Sequence, residues 1–359
     1  MSGTSLDGID LAALATDGYE RILAGPALTV PYPAAFRERL RAVLGSDAPS
    51  AQIAAVEIEL TRLHAVAVAE FRARHPEVAI GLVGFHGHTI LHRPAERRTW
   101  QIGDGALLAR LAQVDVVADF RSADVAAGGE GAPLAPLYHA ALAALRAKPL
   151  AILNLGGVGN VTWIGPRTDG GADDGANTIL AFDTGPGNAL IDDWVYRHTG
   201  GAADIDGALA RAGAASAAHI ARFLTHPYFA RKPPKSLDRD DFQAAIPEGF
   251  TLADGAATLT EMTAASVAAA TGHFPAPPRE WLVCGGGRHN PALMAALARN
   301  LGAPVRAVEA VGWDGDALEA QAFAYLAVRS VRGLPLSLPR TTGAPHPIQG
   351  GRLFRAGAG

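Results

Sequence analysis

Cysteine is almost absent from the chain. Cys284 is the only one in 359 residues, which excludes an intrachain disulfide and a zinc site built on paired thiolates, and suits a cytosolic setting. Lysine is scarce as well: Lys148, Lys232 and Lys235 are the only ones, and arginine carries the remaining positive charge. Neither sign of charge dominates. A net charge of −4 argues against a polyanionic partner such as nucleic acid. Long apolar runs are missing, since Gly, Pro or a charge interrupts each one, and this speaks against a membrane span. The first residues open into a polar glycine turn, without the basic start and apolar core of a secretion signal. No repeat recurs at a fixed period. What is present is globular: 49% hydrophobic and 18% charged residues place the chain outside the disordered class. Its length exceeds one core and predicts two lobes.

The most informative stretch is Thr178–Trp194, TILAFDTGPGNALIDDW. Ile179–Phe182 reads as a strand that delivers Asp183 to a tight turn, Thr184–Asn188. A helix follows from Ala189, with Asn188 placed to cap it. A carboxylate at a strand tip, beside glycine amides and a helix N-terminus, suits a general base working next to a phosphate or sugar. The same residues equally fit an aspartate that only caps a turn.

Several other segments end a strand on glycine or on a polar residue. Gly3-Thr4-Ser5-Leu6-Asp7-Gly8-Ile9-Asp10 is a turn leading into a strand, and its amides and hydroxyls suit a phosphate; an ordinary hairpin turn reads the same way. Ile80–Phe85 is a buried-type strand ending in His86 and His88, with no further ligands at metal-binding spacing. Val114–Phe120 leads to Arg121, which is either a fork for a carboxylate or phosphate or a structural partner of Asp119 or Asp124. Ala151–Leu155 meets Gly156-Gly157 and returns through Asn160. Trp281–Cys284 runs into Gly285-Gly286-Gly287 and then a helix, Asn290–Asn300. This unit makes a nucleotide cradle, though not the GxGxxG of a dinucleotide fold. Asp316 and Glu319 open the last long helix, where acids suit the helix dipole; Glu319 has the alternative of facing a cleft. Ser50–His75 reads as an amphipathic packing helix with His64 on its apolar side. Lys235, Arg239 and Arg231 form a basic loop. Gly165–Asn177 is a polar loop, and the stretch from Gln349 onward reads as a fraying terminus.

Taken in order, MSGTSLDGID, GFHGHT, QIGD, VVADFRSADVAAGGEGAPLAPLYH, LNLGGVGNVT, FDTGPGNALIDDW, HPYF, PPKS, CGGGRHNP and DALEAQAFAYLA closely resemble the anhydro-N-acetylmuramic acid kinase family over nearly the whole chain. The resemblance implies an α/β fold of the two-lobed actin-like ATPase type, a duplicated ribonuclease H-like unit with ATP and sugar in the cleft between lobes. Residues 1–134 and 338–359 would form the N-terminal lobe, and 135–337 the C-terminal lobe. It further implies a cytoplasmic, homodimeric enzyme of peptidoglycan recycling. That enzyme opens the 1,6-anhydro ring of anhydro-N-acetylmuramic acid by hydrolysis and phosphorylates O6 from ATP.

On this reading Asp183 is the base and Glu319 a second acid. ATP meets Gly3–Asp10, Asn154, Gly156, Gly157 and Gly285–Gly287, and Mg²⁺ meets Asp7 or else Asp183, directly or through water. Arg121 binds the sugar, with His88 and Glu130 near it. The family more often carries glutamine at the last two positions, and PKSTGRE where this chain has PKSLDRDDF. It also carries a short apolar strand ahead of MSGTSLDG, so an inner strand is expected to be missing from the N-terminal lobe. Two other functions fit the same fold: a non-catalytic ATP-binding regulator, and an ordinary amino-sugar or hexose kinase.

Overall fold

The computed structural model describes residues 1–3, 6–166, 178–237 and 241–357. Thr4, Ser5, most of the Gly165–Asn177 loop and Arg239 lie outside the described residues. The chain divides into two compact units, Met1–Ala144 with Ala317–Gly359, and Leu145–Asp316. The strands are β1 (Gly8–Thr16), β2 (Ile22–Pro31), β3 (Leu82–Gly84), β4 (His88–Arg93), β5 (Arg98–Ile102), β6 (Asp115–Ala118), β7 (Leu150–Leu155), β8 (Val158–Ile164), β9 (Ile179–Pro186), β10 (Trp281–Cys284), β11 (Val305–Ala307) and β12 (Arg352–Phe354).

The second unit is built on one sheet of order β11-β10-β7-β8-β9. β7, β8 and β9 form an antiparallel meander, and β10 and β11 run parallel to β7. This is the ribonuclease H-like order expected of a lobe. β7 and β10 are central strands, and their near-continuous apolar runs reflect burial on both faces. Leu153, Phe182, Trp281 and Val283 pack there with Ala264 and Val267 of the helix Leu252–Ala270.

β9 corrects the expected turn after Phe182. The strand runs on through Pro186, with a bulge where the register skips Thr184. Asp183 therefore lies inside the strand, beside the bulge, where the chain is re-aimed. Helix α1 (Ala189–Thr199) does begin at Ala189, but Asn188 makes no side-chain cap. Its amide instead donates to the Leu155 carbonyl at 3.0 Å.

The first unit holds three separate sheets: the hairpin β1–β2, the hairpin β4–β5, and the three strands β12-β6-β3. The long helix Ala51–Arg74 is capped by Ser50, whose hydroxyl accepts from the Ile53 amide. It buries Ile53, Val56, Leu60, His64, Ala67 and Phe71, the spacing the sequence predicted. Two assignments change. The helix Leu318–Val331 belongs to the first unit, whereas the sequence placed it in the second. It packs on β1, β3 and β6, and Gly84 permits the approach: a Cβ there would lie 2.3 Å from the Phe323 carbonyl oxygen. Nor does the C-terminal stretch fray throughout, because β12 pairs antiparallel with β6. Among the described residues no helix is long and apolar enough to cross a membrane.

Candidate active site

In the second unit, cross-strand pairing lines up a polar row. Asp183 of β9 lies opposite Asn160 of β8, Asn160 opposite Asn154 of β7, and Asn154 opposite Cys284 of β10. Directly paired residues share a face of the sheet, so Asp183 and Asn154 stand about 10 Å apart with Asn160 between them. The row ends at the glycine cradle. Gly285 has a left-handed φ of 74°, and a Cβ on it would meet Asn154 Oδ1 at 2.3 Å and the Leu155 carbonyl oxygen at 2.7 Å. Gly286 is exposed, with its nearest neighbour 3.8 Å from where a Cβ would be. The Gly156-Gly157 hairpin joins the same cluster. Its carbonyls accept from the amides of Gly187, Asn188 and Ala189 at 2.8–3.2 Å. The residues that lead into α1 and its first amide, that of Ala189, thus hold the hairpin.

Asp183 is fixed by a segment some 50 residues downstream. Its N–H donates to the Lys235 carbonyl at 3.0 Å, its carbonyl accepts from the Tyr228 hydroxyl at 2.5 Å, and its Oδ2 accepts from the Leu237 amide at 2.8 Å. Lys235 was expected in a basic loop, yet it is buried. Its Nζ donates to the Tyr228 carbonyl at 3.0 Å and lies 4.4 Å over the Tyr228 ring. Burial, with Arg231 nearby, depresses its pKa to about 8. Asp316 serves an ion pair and not only the helix dipole: it meets the buried Arg288 at 2.9 Å, and Arg288 also holds Glu309.

In the first unit, Arg121 pairs directly with neither Asp119 nor Asp124. Its Nε donates to His86 Nε2 at 3.0 Å and its NH1 to the Gly131 carbonyl at 2.7 Å. Burial and the Arg121 charge hold His86 neutral, far below its ordinary pKa, and so able to accept. Asp124 is structural: it takes the Gly131 amide and the hydroxyls of Ser337 and Thr342. Glu319 keeps solvent contact, but protein crowds its carboxyl. Desolvation raises its pKa against the opposing pull of Arg121 and the Met1 ammonium.

His88 is fully buried, with Nδ1 on the Ser2 hydroxyl, which in turn accepts from Tyr32. It therefore holds Ser2, just ahead of Gly3, and presents no surface to a sugar. Leu6 in that turn has a φ of 59°, a strained conformation for a branched side chain. Asp7 is exposed. Glu130 is half-buried, its N–H on the Thr342 carbonyl. Among the described residues no group of three His, Cys, Asp or Glu side chains is placed to hold a metal.

The structure thus has Asp183, Asn154, Gly156, Gly157 and Gly285–Gly287 in one unit, and Arg121, Glu319, Gly3 and Leu6–Asp10 in the other. The sequence reading missed Asn160, Tyr228 and the Leu237 amide. An asparagine breaking the apolar run of β8 was the one local signal.

Buried neutral histidines make the first unit acid-sensitive. His64, His88 and His139 have pKa values depressed to about 3, 4 and 4 by burial, and His86 lies well below normal. Unfolded, each binds a proton near pH 6.5. The unfolded chain therefore takes up more protons as pH falls, and folding loses about 1.4 kcal/mol per pH unit for each such group between about 6.5 and 4. The thermal midpoint is expected to drop steeply over that range. A flat profile contradicts the burial of these rings.

The chain matches known proteins along its length. The family model described as anhydro-N-acetylmuramic acid kinase matches residues 1–356. An anhydro-N-acetylmuramic acid kinase of Paramagnetospirillum magneticum is 59% identical over 357 residues, covering 98% of this chain and 97% of the relative. One from Rhodospirillum rubrum is 57% identical, covering 99% and 93%. Among solved structures, the activator of the 2-hydroxyisocaproyl-CoA dehydratase from Clostridium difficile with bound ADPNP aligns over 90% of this chain and 96% of its own, with a TM-score of 0.42 and 10% identity. With a family match running from residue 1 to residue 356, the chain belongs to the anhydro-N-acetylmuramic acid kinase family.

Proposed function

We propose that the chain opens the 1,6-anhydro ring of anhydro-N-acetylmuramic acid and phosphorylates its O6 from ATP, with Asp183 as the general base. The observation that carries this is the row Asp183–Asn160–Asn154 running into the glycine cradle. It sets a carboxylate held in place by backbone groups on the same sheet face as a row that ends at bare backbone suited to a nucleotide.

Water loses a proton to Asp183 and attacks the anomeric carbon. The C1–O6 bond breaks, O6 takes the γ-phosphoryl group, and ADP and N-acetylmuramate 6-phosphate leave. Positioning and charge neutralisation carry the phosphoryl step. Arg121 is fixed at Nε and NH1 and is the fork for the lactyl carboxylate of the sugar. Glu319, its pKa raised, is the second acid. Backbone of the Gly3–Asp10 turn and the Gly156-Gly157 hairpin takes the phosphates, and Gly285–Gly287 the adenosine.

A magnesium ion arriving with ATP needs only one or two protein carboxylates, and the exposed Asp7 offers one. A homodimer in the cytoplasm, serving cell-wall recycling, belongs to the same reading. The test is ADP release with a panel of sugars. Release that depends on the anhydro sugar supports it. Turnover of open N-acetylmuramate or glucosamine in its place points to an ordinary amino-sugar kinase, and ATP binding without turnover to a regulator.

A further inference from the structure

β9 is the outer strand of its sheet, so one edge of its backbone has no strand to pair with. At Asp183 that edge is closed by a ring of three residues. The Asp183 N–H donates to the Lys235 carbonyl at 3.0 Å, the Lys235 Nζ donates to the Tyr228 carbonyl at 3.0 Å, and the Tyr228 hydroxyl donates to the Asp183 carbonyl at 2.5 Å. Each residue gives one hydrogen bond, and its carbonyl takes one. Leu237, two residues past Lys235, adds the amide that holds Asp183 Oδ2. All four residues belong to the second unit.

Lys235 brings a charge into this ring from a residue only 3% exposed. Its ammonium lies 4.4 Å from the centre of the Tyr228 ring and 5.6 Å from that of Phe182, and both attract it as a cation. Among the described residues, the charged and titratable groups around it are Tyr228 of the helix Pro227–Ala230, Arg231 just beyond that helix, His273 with Nε2 at 3.4 Å, and Asp183 of β9, reached through the main chain. Burial holds His273 below its ordinary pKa. An ammonium packed among aromatic rings costs the fold stability that an apolar side chain of the same length would not. Packing alone therefore does not account for a lysine here.

We infer that Lys235 is a positioning residue for Asp183: by gripping the Tyr228 carbonyl, its ammonium locks the segment whose carbonyl, hydroxyl and amide hold Asp183 in place. This rests on Asp183 being the general base of the proposed reaction. The charge matters twice. An ionised donor bonds a carbonyl about twice as strongly as a neutral one, and only the cation is drawn to the two rings. A neutral amine keeps the lysine but loosens the ring. Burial, with Arg231 nearby, brings that loss down to about pH 8. The grip is therefore full below that pH and weakens as pH rises through it.

The test compares Lys235→Met, which removes donor and charge, with Lys235→Arg, which keeps both. Lys235→Met is expected to lower kcat about tenfold, with KM for ATP and for the anhydro sugar within about twofold and a thermal midpoint no lower than the parent's. Lys235→Arg should recover most of that kcat. The parent's kcat should fall as pH rises through about 8, and that fall should be absent from both variants. Amide exchange at Asp183 is read on the same proteins without substrate. It should be at least ~10-fold faster in Lys235→Met, with exchange in β7 unchanged. Exchange also separates this role from the reaction: a parent that leaves the anhydro sugar untouched removes the general base, while exchange still decides whether Lys235 holds Asp183. Parent-like exchange at Asp183 in Lys235→Met, parent-like kcat in that variant, or a fall through about pH 8 that persists in it would overturn the proposal. If Lys235→Met does not fold, Lys235→Arg decides: a level kcat up to about pH 9.5 supports the role, and a fall like the parent's overturns it.

Discussion

Asp183→Asn is expected to turn over at least ~10²-fold more slowly than the parent chain, the usual scale for a lost general base, with ATP affinity unchanged. The substitution is nearly isosteric. The Asn side-chain oxygen still accepts from the Leu237 amide, and the main-chain bonds to Tyr228 and Lys235 do not involve the side chain. What is lost is proton affinity. Tyr228→Phe separates position from charge: it removes the hydroxyl that grips the Asp183 carbonyl at 2.5 Å and leaves the carboxylate. It should lower turnover more modestly, without moving the acidic limb of the pH–rate profile. Initial rates with nucleotide binding measured in parallel decide the matter. Near-normal turnover in Asp183→Asn would remove the residue from its role.

Gly285→Ala is the second large effect. An alanine at a φ of 74° costs about 1–2 kcal/mol from backbone sterics alone. Its Cβ would also press on Asn154 Oδ1 and the Leu155 carbonyl oxygen. Together these are expected to destabilise the second unit by about 3 kcal/mol and to weaken ATP binding at least tenfold. Gly286→Ala is the informative partner. No atom lies closer than 3.8 Å to its new methyl group, so stability should hold while ATP affinity falls. Calorimetric titration and thermal melts of both variants read this out. A Gly285→Ala chain that melts and binds like the parent contradicts the cradle.

These outcomes rest on features that were unequally legible in the sequence. Asp183 and the glycines were readable because their signals are local: an apolar run, then a residue that cannot belong to a core, then residues that free the backbone. The meander β7–β8–β9 followed from the same signals. Asn160 escaped because its importance comes from register. Only pairing puts it beside Asp183, and pairing is a property of two strands. The grip of Tyr228 and Leu237 on Asp183 spans 45 and 54 residues and leaves no periodic trace. His88 looked like a ligand contact because it ends a strand, yet hydrogen bonding to Ser2 turns it inward. The helix Leu318–Val331 was assigned to the wrong unit because helix periodicity says which face is apolar, not which sheet receives it. β12 was missed since three residues just after Gly350-Gly351 carry too little pattern to outweigh a terminal position.

On the proposed function, hydrolysis of the anhydro bond and phosphorylation of O6 are one reaction at Asp183. Phosphorus and proton magnetic resonance of a single reaction mixture containing ATP and 1,6-anhydro-N-acetylmuramic acid tests it directly. ADP, a 6-phosphate ester and a free anomeric centre are expected to appear together in equal amounts, and Asp183→Asn to slow all three alike. An anomeric centre that forms without ADP, or a phosphorylated sugar whose anhydro ring is intact, would contradict it.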